Sequence, residues 1–312
     1  MRTISIPSIF IIIVFITFLN ADLLQAADIE TTAALPLFTL EASLHMPSDV
    51  AVGKQNRIYV LDGTHGQVKV FNNKGNFIFS FGSKGSGKTQ LMNPLGLDVD
   101  EAGNVFVADS GNHRIQIFGQ DGRWISFFDL IRETGSNPPD PTDVAVYGAK
   151  DRCYVVDNDN HRILMFNKTG SKFLGQWGKR GQVLGKFRYP FFIAVSKEGA
   201  VAVVDLLNTR VQVFNHDGKF IHLVGSWGVD RGNFYRPKGV AIDKNNRIFV
   251  SDSVLGVVQI FDPQGNFLSV VGNKEGQIQR FTTPVGIYVD NNFRLYVVEM
   301  TMDRVRVFKL QE

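Results

Sequence analysis

Short apolar segments alternate with polar turns along most of this chain, and the alternation has a long period. Pro47, Pro94, Pro141, Pro190, Pro237 and Pro284 are spaced by 47, 47, 49, 47 and 47 residues. Each proline opens an apolar run ("SDVAV", "LGLDV", "TDVAV", "FFIAV", "KGVAI", "VGIYV"), and a turn then leads to a second run ending in an acid, as in "RIYVLD" or "NVFVAD". A third run ("RIQIF", "RVQVF"), a Gly, Asn or Asp turn and a fourth run ("FIFSF", "FLGQW") complete the unit. Runs of β-branched and aromatic residues this short, punctuated by turn formers, predict a four-stranded antiparallel meander.

Six such meanders at a fixed period predict an all-β fold, a six-bladed β-propeller. The sixth unit ends at Glu312 without its fourth strand, while "LPLFTLEASL", residues 35–44, is a spare strand before the first proline. This N-terminal strand is expected to complete the last blade and close the ring, leaving no exposed edge at the seam. Residues 28–312 then form a single domain.

The first 27 residues depart from this pattern. Arg2 precedes a charge-free run, "IPSIFIIIVFITFLN", and small residues follow in "LLQAAD", which is the layout of a secretory signal with cleavage expected near Ala26 or Ala27. An uncleaved anchor is the alternative, since the run approaches the ~20 residues a spanning helix needs. Both place the folded part outside the cytoplasm, secreted or periplasmic. Cys153 is the only cysteine and the formal net charge is +3. Disulfides and cysteine-based metal clusters are thereby excluded, and so mild a charge argues against nucleic acid as partner.

The turns "VADSGNHRIQIF" (107–118) and "VVDNDNHRILMF" (155–166) resemble the NHL repeat. The resemblance extends over about residues 35–312 and implies a six-bladed propeller, here a secreted bacterial member; it says little of function, which in that family ranges from RNA binding to a zinc lyase. The family's lyase implies three zinc-binding histidines before the inner strands. The corresponding segments here read "LHMP", "LMNP", "PPDP", "FRYP", "YRP" and "TTP", in which His45 is the only histidine; His65, His216 and His222 fall elsewhere in the repeat. No cofactor is therefore predicted beyond a divalent cation, calcium, held in the channel by carboxylates.

Candidate chemistry sorts by repeat position. Asp62, Asp109, Asp157, Asp205, Asp252 and Glu299 all end second strands, and six repetitions of one acid point to structure: a carboxylate that accepts from turn amides and pairs with the Arg five residues on. His113 and His161 are turn residues of the same motif. "GSKGSGKT", residues 82–89, matches a phosphate-binding loop in its letters. Its Gly82, however, is a repeat position shared with Gly178, Gly225 and Gly272, Pro94 follows too soon for a long helix, and the neighbouring strands are antiparallel.

Two sets remain. Asp49 and Asp143 stand where other repeats have Gly96, Phe192, Gly239 and Gly286, and Asp98 replaces Ala51, Ala145, Ala194 and Ala241. They are channel candidates, because a buried carboxylate needs a cation, a donor or a raised pKa. Lys179, Arg180, Lys186, Arg188 and Arg236, with Trp177 and Tyr189, mark a basic loop face. The functional expectation is a non-catalytic binding or scaffold module meeting a protein or polysaccharide of the cell envelope, with a metal-dependent hydrolase or lyase as the competing class.

Overall fold

Each proline-led unit folds as a meander whose first strand faces the central axis. In the computed structural model, which describes residues 29–131 and 137–311, the first repeat pairs Pro47–Val52, Ile58–Asp62, Gln67–Phe71 and Phe77–Phe81 in that order. Repeats two, three and four form further separate four-stranded blades, with inner strands Leu97–Val99, Pro141–Tyr147 and Pro190–Val195. The middle strands are apolar on both faces because each blade is covered by its neighbours, so Ile58–Asp62 and Val105–Asp109 are buried throughout. Outer strands such as Phe77–Phe81 are partly exposed.

The last two repeats depart from the expectation of six separate blades: they share one eight-stranded sheet. The reason is the length of the N-terminal strand. It runs over Thr31–Leu40, four residues upstream of the expected 35–44, and Ala34–Leu40 pairs antiparallel with Arg304–Leu310 as the missing fourth strand of repeat six. Its first three residues, Thr31–Ala33, continue past that blade and pair in parallel with Val270–Gly272 of repeat five. One strand thus welds two meanders together. The leader, residues 1–27, lies outside the described residues.

Apolar clusters fill the spaces between consecutive repeats all the way round. Tyr59, Val68, Val107 and Phe118 join repeats one and two, and Tyr154, Val203 and Phe214 join three and four. Val60, Tyr296 and Val298 close six onto one. The loops from one blade to the next contribute the plugs Leu91, Phe187, Phe234 and Phe281, all buried. Burying a phenylalanine contributes about 2–3 kcal/mol, so these loops are held by packing as well as by hydrogen bonds. Gly82 and Gly178 leave their outer strands at φ +84° and +92°, a left-handed turn that a side chain disfavours.

Candidate functional site

The inner strands enclose a cavity of about 320 Å³ along the axis, whose walls include Asp49, Asp98, Asp143, Phe192 and Tyr288. The three channel candidates do come together here, and their arrangement is regular. Asp49 accepts from the amide of Val50 through Oδ1 (2.9 Å) and from Leu97 of the next repeat through Oδ2 (2.9 Å). Asp98 does the same with Val99 and Val146, both at 2.8 Å, and Asp143 with Val144 and Ile193, both at 2.8 Å. Each carboxylate therefore clasps its own inner strand to the next one, linking repeats one, two, three and four in series.

The glycines opposite them now have a reason. A Cβ on Gly96 would lie 2.1 Å from Asp143 Oδ1, and one on Gly286 would lie 2.4 Å from Asp49 Oδ1. The clasps of Asp143 and Asp49 each require an empty position in the blade before. At repeats five and six a hydroxyl replaces the carboxylate: Ser251 Oγ accepts from Gly239 N (2.8 Å) and donates to Val285 O (2.7 Å).

Burial pushes Asp49 up to about 8, against its amide bonds to Leu97 and Val50, with Asp98 adding repulsion. Burial likewise moves half-buried Asp98 up to about 7. Asp143 lies well above the usual carboxylate range through burial and the charge of Asp49. Burial thus opposes ionisation of all three carboxyls. Among the described residues no three His, Cys, Asp or Glu side chains converge in a way that could hold a metal ion. His45 and His65 approach each other with ring centroids 5.8 Å apart, but each turns to an acid, Asp303 at 3.5 Å and Asp62 at 2.9 Å.

The six second-strand acids tie down the loop face. Asp109 accepts from Met92 N, Asn112 Nδ2, Arg114 Nε and Gln116 Nε2, and Asp205 repeats the set with Arg188 N, Asn208, Arg210 and Gln212. Asp157 takes Asp140 N, Asn160 and Arg162, while Asp62 has Lys69 and His65 instead of the Arg. Asp252 accepts backbone amides from Tyr235 and Arg236, and Glu299 holds Thr282 N and Arg304.

These bonds also account for "GSKGSGKT". Gly85 O takes Asn112 Nδ2 and Gly87 O takes Arg114 Nη2, no helix starts within residues 82–93, and Lys88 Nζ lies 4.0 Å from the centroid of the Trp124 ring. The stretch is a blade-to-blade loop.

On the same face, Lys179, Arg180, Tyr189 and Arg236 are exposed and Lys186 and Arg188 half-exposed. Trp177 is a correction. Strand alternation turns it inward, where it meets Tyr154 and Phe214 at centroid distances of 5.8 Å. Beside Tyr189, this face exposes Trp227, 72% accessible, which occupies in the next loop the position of Arg180. Tyr189 donates its amide to His161 Nδ1 (3.1 Å); burial and the Arg180 charge hold that imidazole below its ordinary value. Leu207 and Val254, on neighbouring turns, are also exposed. Counting from the acids or the glycines would have found Trp227, and counting from the prolines would have found Tyr288 at the position of Asp98.

The NHL repeat profile matches residues 44–71 and 91–118. Those two segments are similar to the NHL repeat. The chain is 30% identical over 146 residues to protein brain tumor of Drosophila melanogaster, covering 46% of this chain and 14% of the relative. Similarity to the peptidyl-glycine alpha-amidating monooxygenase A of Xenopus laevis is 33% over 150 residues, covering 44% of this chain and 16% of the relative. The chain thus spans under a fifth of the length of either. Among solved structures, a streptogramin B lyase superposes with a TM-score of 0.65 at 11% identity, covering 89% of this chain and 98% of the lyase. A gluconolactonase from Xanthomonas campestris gives 0.66 at 15%, covering 92% and 96%. At such identities the likeness of this chain to the two enzymes is one of fold.

Proposed function

We propose that this protein is a non-catalytic binding or scaffold module, with its six repeats set around one axis and its blade-to-blade loops as the contact face. We place it outside the cytoplasm, on the secretory layout of residues 1–27, and take its partner to be a protein or polysaccharide of a bacterial cell envelope. The supporting observation is the grouping of exposed Trp227, Tyr189, Leu207 and Val254 with Arg180 and Arg236 on adjoining loops. Exposed apolar side chains gathered on one face mark interaction sites, and Trp, Tyr and Arg carry most of the binding energy in such contacts. The test is a crosslinking pull-down from envelope and medium: Trp227→Ala is expected to lose the captured partner with its melting temperature unchanged. Recovery of the wild-type protein alone would count against the module.

The competing reading is a metal-dependent hydrolase or lyase. Its support is the set of proton-holding carboxylates in the channel. On that reading calcium or zinc raises the melting temperature by mass action, and Asp98→Ala abolishes the rise.

A further inference from the structure

The six repeats differ at one buried place. Three residues before each second-strand acid stand Tyr59, Phe106, Tyr154, Ala202, Phe249 and Tyr296, and five before it stand Arg57, Asn104, Arg152, Ala200, Arg247 and Arg294. Repeat four alone carries two alanines. The ring at this position packs into the space toward the following repeat, as Tyr59 and Tyr154 do in their clusters; Ala202 belongs to the cluster between repeats four and five. There, a pocket of about 320 Å³ opens, lined by Ala200, Ile221, His222, Ile248, Pro263 and Gln264 among others.

The missing side chains also leave a polar partner. At three of the other five interfaces, the second residue of the turn between third and fourth strands presents its carbonyl to the side chains at these positions. Gln120 O accepts from Arg57 Nη1 (2.8 Å) and Tyr59 OH (3.4 Å). His216 O accepts from Arg152 Nη1 and from Tyr154 OH (2.8 Å), and Asn73 O from Arg294 Nη1 (3.1 Å). In repeat five the same carbonyl is Pro263 O, on the pocket wall, where its partner among the described residues is half-exposed His222, at Nε2 3.0 Å, which leaves its second lone pair toward the pocket.

We propose that the pocket between repeats four and five binds a small phenol, its ring in the volume a tyrosine fills at the neighbouring interface and its hydroxyl donated to Pro263 O. An apolar cavity of about 150 Å³ is large enough to take up benzene, and pockets of about 300 Å³ are the small end of ligand sites. The volume therefore suits one substituted ring. This site lies on the side of the first-to-second strand turns, away from the loop face, and does not depend on the function proposed above.

The experiment titrates 4-methylphenol into the wild-type protein by ligand-observed NMR, with toluene as the probe lacking the donor. Saturable binding is expected, at least tenfold weaker in Ala202→Tyr, which restores the repeat side chain, and in Ile221→Trp, which narrows the mouth without entering the core. Toluene is expected to bind at least fivefold more weakly than the phenol. Absence of saturable binding to the wild type, or equal binding by wild type and Ile221→Trp, would overturn the site. Equal affinity for toluene would overturn the role of Pro263 O.

Discussion

Two arcs of one ring solve the same problem with different chemistry. From repeat one to repeat four, neighbouring inner strands are joined at the channel by Asp49, Asp98 and Asp143. Across repeats five and six, the joints are a serine hydroxyl and a strand shared between two meanders. A carboxylate can satisfy two amides in two strands at once, but it brings a charge that burial opposes; a hydroxyl or a backbone ladder brings none. The channel joints of the first arc are therefore titratable groups and the serine joint of the second is not. An aspartate at the inner strand is a joint that titrates.

Cutting the second arc has the largest expected effect. Deleting Thr31–Leu40 exposes the edges of Phe267–Gly272 and Arg304–Leu310 and removes the buried Leu40. Open edges pair with other chains, so loss of a single cooperative melt and onset of aggregation are expected by circular dichroism and light scattering. The effect should exceed that of truncating one plug, Phe234→Ala, for which about 3–5 kcal/mol is expected.

Removing a single joint is the next step down, and here the arcs should differ. Asp143→Ala leaves the amides of Val144 and Ile193 without acceptors in a buried place; at about 1–3 kcal/mol for each unsatisfied donor, denaturant melts should show a loss of about 2–6 kcal/mol. Ser251→Ala strands one donor, Gly239 N, and the Val285 carbonyl, which tolerates a missing partner better, so about 1–3 kcal/mol is expected. Equal losses would erase the distinction between the two arcs.

The pH dependence sharpens it. Folding raises the Asp49 pKa to about 8 from an unfolded value of about 4. The folded state thus binds more protons than the unfolded state between those values. Stability from this group is complete below pH ~4 and is lost as pH rises toward 8. Asp49→Asn keeps one acceptor and cannot titrate, so the difference between wild type and variant should shrink with rising pH, on the order of 1 kcal/mol per unit. A difference independent of pH between 5 and 8 would mean that Asp49 is ionised throughout.

The repeats were legible because a strand period of two and a blade period near 47 leave their mark in residue type. The acids, plugs and turn glycines all follow from that register. Contacts across repeats were less so. That Asp98 needs Val146 N, 48 residues on, or that Gly96 makes room for Asp143, is a relation between two positions and leaves no mark in either alone. Trp177 lies close in sequence to Lys179 and Arg180, but strand alternation exposes Leu174 and Gln176 and turns the half-buried Trp177 toward Tyr154 and Phe214. The shared sheet was hidden in the length of one strand, whose first three residues, Thr31–Ala33, carry no pattern that distinguishes them from a turn.

The smallest effect is expected where the sequence looked most suggestive. Lys88 lies over Trp124 at 4.0 Å, an exposed cation–π contact contributing about 0.5–1 kcal/mol, and the carbonyls of Gly85 and Gly87 are engaged by Asn112 and Arg114. Lys88→Ala should therefore cost under about 1 kcal/mol in a denaturant melt, and ATP with magnesium should leave the melting temperature of both proteins unchanged. A nucleotide-dependent rise lost in Lys88→Ala would require the loop to release Asn112 and Arg114 and refold around a phosphate. It would then also uncouple Asp109 from its loop, and the stability of repeat two would fall as the nucleotide bound.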